Sequence, residues 1–310
     1  MKDRKQLLIF TLLIFCQTLA IPAQSQPQFK PDPKLLLPLG KFWEENGRPP
    51  VQSPFLVKFS TGGKSLWFVA AHHSNSVETD TFRLIKKAFT EFKPQALIVE
   101  GVERERGTSA ESYKSLVKDA DLDKTKFWLN GERGYAVAFA VKQKIACVGG
   151  EPPEKYLNEE LRKKYSMKDV FGFYVVRYIP QLKRQNPDKK IDFDKWYEKN
   201  AQRDWPITDA PVSLSEFKAW YGEKNKEKFD FDKIDNEISA PISGGKALFT
   251  QQVSYEVGIV RDIAILENIA DMLNQYDRVL IVYGSGHFEQ QAKALENMLG
   301  KGDIVEDWKK

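Results

Sequence analysis

A chain of 310 residues with 12% aromatic content carries enough material for one packed domain with an elaborate insertion. Its formal charge of +4 falls to about +2 once Lys2, Asp3, Arg4 and Lys5 are removed with the leader, which argues against a dedicated nucleic-acid binder. Of its two cysteines, Cys16 belongs to the leader and Cys147 is left alone, so no intrachain disulfide is expected.

In chain order, Lys2, Arg4 and Lys5 precede an apolar run from Leu7 to Phe15, followed by small and polar residues from Ala20 to Gln26. This pattern predicts a secretory signal over 1–25, with cleavage after Ala20 or after Ser25, and an exported chain, periplasmic or secreted. The run is short for a bilayer crossing, which needs about 20 apolar residues, so an uncleaved signal anchor is the only membrane attachment expected. Phe15 before Cys16 lacks the small residue of a lipidation site. A Pro-rich leader follows over 26–54.

Phe55 to Phe59 and Leu66 to Ala71 flank Ser60-Thr61-Gly62-Gly63-Lys64-Ser65, which reads as a hairpin turn. From Thr79 to Phe92, apolar side chains recur at helical spacing until Pro94, and Ala96 to Val99 is a short buried strand. Helical stretches near Ser109 to Ala120 and Tyr135 to Gln143 then lead to a strand from Ile145 to Val148. Alternation of this kind predicts an α/β fold: a mostly parallel central sheet flanked by helices. The core would comprise 55–151 and 241–310. Between them, 152–240 reads as a largely helical, aromatic-rich insertion, its rings forming a satellite core. A long helix from Ala247 to Tyr276, a strand from Val279 to Tyr283 and a helix from Phe288 to Leu299 complete the chain.

Ligands of open α/β sheets gather beyond the carboxyl ends of the strands, where loops and helix amino termini converge. The expected strands run into His72 and His73, into Glu100, into Glu151 after Gly149-Gly150, and into His287 after Gly284-Ser285-Gly286. His72, His73 and His287 are all the histidines of the chain. If the strands are neighbours, one rim receives imidazoles and carboxylates together. Taken singly, each has a plainer reading as a turn residue, a helix cap or an ion-pair partner. Cys147, mid-strand, reads as a buried small apolar residue.

The motifs Ala70-Ala71-His72-His73 and Gly284-Ser285-Gly286-His287 resemble the paired Gly-x-x-His motifs of the TraB/Tiki family, whose wider superfamily includes erythromycin esterase and the haem-binding ChaN proteins. That register favours His73 over His72. Gly149-Gly150-Glu151 and Leu97 to Gly101 are similar to the family's acidic strand ends, and Val260-Arg261-Asp262-Ile263 to its Arg-Asp or Arg-Asn helix motif. The resemblance covers Leu66 to Glu151 and Val253 to Leu299. Arg261 would orient Glu100 or Glu151 or hold a substrate oxyanion; as a purely structural residue it would pair with a buried carboxylate.

Two imidazoles with carboxylates suit a divalent transition metal such as Mn, Co or Zn, with His73, His287, Glu100, Glu151 and His72 as candidate ligands. The resemblance implies an exported metal-dependent hydrolase cleaving a peptide, ester or related bond in a peptide or small-molecule substrate. Its esterase branch implies a metal-free variant in which a histidine is the base on water and a glutamate orients the ring. A haem- or iron-binding protein, ligated through His73 or His287, and a non-catalytic signalling scaffold are the alternatives. Gly284-Ser285-Gly286 lacks a Gly-x-Ser-x-Gly elbow, and no later histidine beyond His287 is present to serve it, so a Ser-His-Asp triad is not expected.

Overall fold

The computed structural model describes residues 29–104, 107–117, 120–205 and 212–305. The expected signal segment lies outside the described residues. Strands β1 (Phe55–Thr61) and β2 (Lys64–Ala71) form the hairpin, α2 (Asp80–Glu91) follows the short α1 (Lys41–Glu45), and β3 (Ala96–Glu103) and β4 (Ala146–Glu151) are linked through α3 (Gly131–Gln143). A helical stretch then runs from α4 (Glu154–Leu161) through α5 (Met167–Gln185), α6 (Phe193–Trp196), α7 (Gln202–Asp204) and α8 (Leu214–Asn225) to α9 (Phe249–Gln275). Strand β5 (Arg278–Gly284), α10 (Ser285–Leu299) and the edge strand β6 (Asp303–Val305) close the fold.

The sheet order is β4-β3-β5-β2-β1-β6. The first four strands are mutually parallel, and β1 is antiparallel to both β2 and β6. The α/β expectation with a mostly parallel sheet and a largely helical insert is therefore met. Alternation along the strands sends side chains to two layers. Phe68, Ala70, Ile98, Ile281 and Tyr283 pack with Ile265 and Ile269 of α9 and Phe288 and Ala292 of α10. Val69, Leu97, Val99, Leu280 and Val282 pack instead with Phe82, Ile85 and Phe89 of α2 and Tyr135 and Val137 of α3.

Within the Pro-rich leader, Phe42 and Trp43 are buried, and both rings pack against Phe288. Three elements depart from the sequence reading. The stretch expected to be helical near Ser109 is 3-10 helix over Ala110–Val117, a form suited to short pieces. Helix α10 begins at Ser285, so His287 lies in its first turn rather than in a preceding loop. β6, only three residues long and interrupted by no apolar run, gave no periodicity to read.

The insert has its own core. A capping box at Ser166 and Asp169 starts α5, and Phe171, Val175, Phe193, Tyr197, Phe217 and Trp220 pack together. Trp220 donates its ring N–H to Asp169 at 2.8 Å, satisfying a polar atom that packing alone would strand.

Candidate functional site

The parallel set β4-β3-β5-β2 brings four carboxyl ends to one rim. β2 and β3 lead to helices on one face, whereas β5 leads into α10 on the other, so the strand ends part between them. That is the place where open α/β sheets hold ligands.

Register fixes the centre. Ala71 pairs with Gly284, and Val99 with Val282. Glu100 is two residues beyond Ile98, on the α9/α10 side, where it meets the start of α10: the Gly284 N–H donates to its Oε2 at 2.7 Å. A carboxylate is well placed at a helix amino terminus, which offers free N–H groups and partial positive charge. A Cβ at Gly284 would come within 3.0 Å of His73 Nε2 and 3.4 Å of Glu100 Oε2, so glycine there lets the two approach.

Both rim histidines are oriented by a carboxylate at Nδ1 and turn Nε2 towards Glu100. His287 Nδ1 is 2.6 Å from Asp262 Oδ1, and its Nε2 is 3.6 Å from Glu100 Oε1. Gln291, one turn along α10, donates to the same Asp262 oxygen at 2.6 Å. Asp262 is fully buried, and its Oδ2 has no hydrogen-bond partner among the described residues. Burial disfavours the His287 cation, but the two carboxylates outweigh it and raise the pKa to about 9. His73 Nδ1 lies 2.5 Å from Glu132 Oε1, and its Nε2 is 4.0 Å from Glu100 Oε2. The hydrogen bond to Glu132 is the main cause that lifts the His73 pKa above its ordinary value; burial opposes it and Glu100 adds to it.

Arg261 locks the other side. Its Nε donates to Glu151 Oε2 at 2.7 Å and its Nη2 to Oε1 at 2.6 Å, with Glu100 Oε1 3.4 Å from Nη2. Two turns along α9, Asn268 donates to the Gly150 carbonyl at 3.0 Å, so one helix face is stitched to the end of β4. Gly101 N–H and the Tyr283 hydroxyl also donate to Glu151 Oε1, at 3.1 and 3.3 Å. Gly101 has φ +68, and a Cβ there would overlap Arg133, whose Nη1 donates to the Gly101 carbonyl at 2.7 Å. Burial raises the carboxyl pKa of Glu100 and of Glu151, but the hydrogen bond and charge of His287 for the first, and of Arg261 for the second, hold both below the usual range.

The structure thus brings His73, Glu100, Glu151, Arg261 and His287 together and leaves His72 aside. The His72 backbone exchanges hydrogen bonds with the Thr81 hydroxyl, and its side chain is exposed. Arg261 pairs with Glu151 and lies beside Glu100. Sequence reasoning missed Glu132, Arg133 and Gln291, and gave Asp262 only as part of a motif with no partner. Asp262 was visible beside Arg261 as a second charge in an apolar helix, and Glu132 as an acid in the first turn of α3; neither position announces a partner distant in sequence.

Among the described residues, no group of three or more His, Cys, Asp or Glu side chains is gathered to hold a metal ion. Glu151 has both oxygens on Arg261, and His287 lies between the Asp262 and Glu100 carboxylates. The cavity above His73, about 520 Å³, is lined in part by Asn75, Glu100, Asn130, Glu132 and Arg133. The insert's aromatic rings pack on one another in their own core.

Compared with protein-family models, curated proteins and solved structures, the chain matches none of them.

Proposed function

We propose that this protein is a hydrolase that activates water with His73, by the metal-free route among those its sequence suggests. One observation carries the reading: the His73 ring is 65% exposed at the polar cavity, while its Nδ1 is held by the 12%-exposed Glu132. With Nδ1–H donating to Glu132, the neutral ring presents the Nε2 lone pair to a water in the cavity. This tautomer follows from the partner and is an assignment. The hydrogen bond to Glu132 raises the His73 pKa, which strengthens the neutral ring as a proton acceptor.

In the reaction, the water oxygen bonds to the carbonyl carbon of an ester or amide, and its proton passes to His73 Nε2. The electron pair of the carbonyl moves to oxygen, where the Arg133 guanidinium in the cavity wall is the cation available to face it. Collapse restores the carbonyl and expels the leaving group, which takes the proton from the His73 imidazolium. Glu100 stays ionised and steadies that imidazolium. His287, Asp262 and Arg261 hold Glu100 and Glu151 in place; they are positioning residues. The TraB/Tiki resemblance agrees with a hydrolytic role for these positions.

The test is a hydrolysis screen of the purified mature chain over activated esters, lactones and short peptides, before and after exhaustive chelation. The reading expects at least one substrate whose turnover survives chelation and is lost in His73→Ala. Turnover that vanishes on chelation and returns with manganese, cobalt or zinc would favour the metal-dependent reading.

A further inference from the structure

A second cavity, about 380 Å³, opens on α5, and its described lining residues include two arginines and no carboxylate. Tyr174, Arg177, Gln181 and Arg184 follow one another at three- and four-residue steps, which puts them on one face of the helix. Trp205 and Asn236 supply part of the opposite wall. Arg184 is steadied by Asn236, whose Oδ1 accepts from Nη1 at 2.9 Å. Arg177 rests over the Phe173 ring at 5.9 Å, and among the described residues no hydrogen bond or ion pair engages its guanidinium. The Tyr174 hydroxyl is likewise buried and without a hydrogen-bond partner there.

Arg177 and Arg184 are both exposed to solvent at the cavity. Some lysines of the insert take a carboxylate or carbonyl, as Lys183, Lys218 and Lys224 do. Desolvation is the main cause that lowers the Arg177 pKa, the like charge of Arg261 lowers it further, and Glu151 and Glu100 at the rim oppose both. An oxyanion entering the cavity would relieve that repulsion and satisfy the forked donors of two arginines at once. The aromatic rings of Tyr174, Tyr178 and Trp205 would flank whatever carries it.

We propose that Arg177 and Arg184 form an anion subsite that takes the carboxylate or phosphate group of a small molecule. The site stands independently of the hydrolase reading and assigns a role to the insert: binding of negatively charged ligands.

The experiment is calorimetric titration of the mature full-length chain with benzoate, phenyl phosphate and benzamide. Benzoate and phenyl phosphate separate the carboxylate from the phosphate source, and benzamide keeps the ring while removing the charge. At least one anion should bind, benzamide should not, and Arg177→Gln and Arg184→Gln should each weaken the anion by about tenfold or more, the scale of a charge-assisted hydrogen bond. If Arg177→Gln does not fold, Arg177→Lys carries the test, because it keeps the charge and loses the fork. Unchanged binding in the arginine variants, equal binding of benzamide, or no binding of either anion overturns the subsite. His73→Ala should keep anion binding. If it hydrolyses as well as wild type while binding is intact, the hydrolase reading fails alone; if it abolishes binding that the arginine variants retain, the anion sits at the rim and the subsite is wrong.

Discussion

Arg261 and Glu151 meet as fork and fork, with Nε to Oε2 at 2.7 Å and Nη2 to Oε1 at 2.6 Å, one on the long helix before β5 and the other at the end of β4. The pair joins the last part of the chain to a strand 110 residues earlier. Both side chains are largely shielded, at 17% and 12% exposure, so neither charge is fully solvated if its partner is removed.

Replacing Arg261 by Met should therefore destabilise the fold by about 3–5 kcal/mol, the usual result of leaving a buried charge uncompensated. Arg261→Lys should lose less, because the charge remains and only the forked geometry goes. Urea denaturation of the three proteins measures this. Equal stability of Met variant and wild type would contradict the pairing.

His287 sets a pH dependence of stability. Its pKa is about 9 in the folded protein against 6.5 for an ordinary histidine. A raised folded pKa means the stabilisation is fully present below about 6.5 and disappears as pH climbs through 9. It amounts to at most about 3 kcal/mol. The melting temperature of wild type should fall across that window more steeply than that of His287→Gln. Asp262→Asn should flatten the slope too, since Asp262 is the largest cause raising this histidine. Parallel curves for wild type and His287→Gln would refute the assignment.

Much of this arrangement was legible because strand ends can be read from sequence. Buried runs such as Ala96 to Val99 end at a polar residue, and in a parallel sheet such ends share one side, so His73, Glu100, Glu151 and His287 could be grouped without knowing the strand order. Apart from Arg261, the partners supplied by helices could not be read. Glu132 sits in the first turn of α3 and reaches His73 across 59 residues. Asp262 is buried beneath α10, and nothing in a helical pattern says which charged residue faces inward. The insert was legible as helical and aromatic, but its α5 cavity depends on how four helical turns align with Trp205 and Asn236.

Glu132→Gln separates orientation from charge at the proposed base. The amide still occupies the position beside Nδ1 but no longer favours the imidazolium, so the His73 pKa should drop towards its ordinary value. A base must be unprotonated to act. The acidic limb of the rate profile should thus move to lower pH in Glu132→Gln, with a smaller plateau. Direct titration of the His73 ring by NMR checks the shift, and an unmoved ring pKa would show that Glu132 does not tune it.

Cys147 should be chemically silent. Burial pushes its thiol up to about 12, and it is fully enclosed in the sheet. A thiol reagent should leave the folded chain unmodified and react once after denaturation. Rapid modification of native protein would mean that β4 opens readily.

The central claim is that His73 is the base and His287 a positioning residue. On a substrate from the screen, kcat should be compared for wild type, His73→Ala, His287→Ala and His72→Ala after chelation. The account expects His73→Ala to lose about a hundredfold or more, the usual contribution of a general base. His287→Ala should lose less and His72→Ala almost nothing. A chain in which His73→Ala keeps wild-type kcat while folded, or in which His72→Ala is the inactive variant, would contradict it.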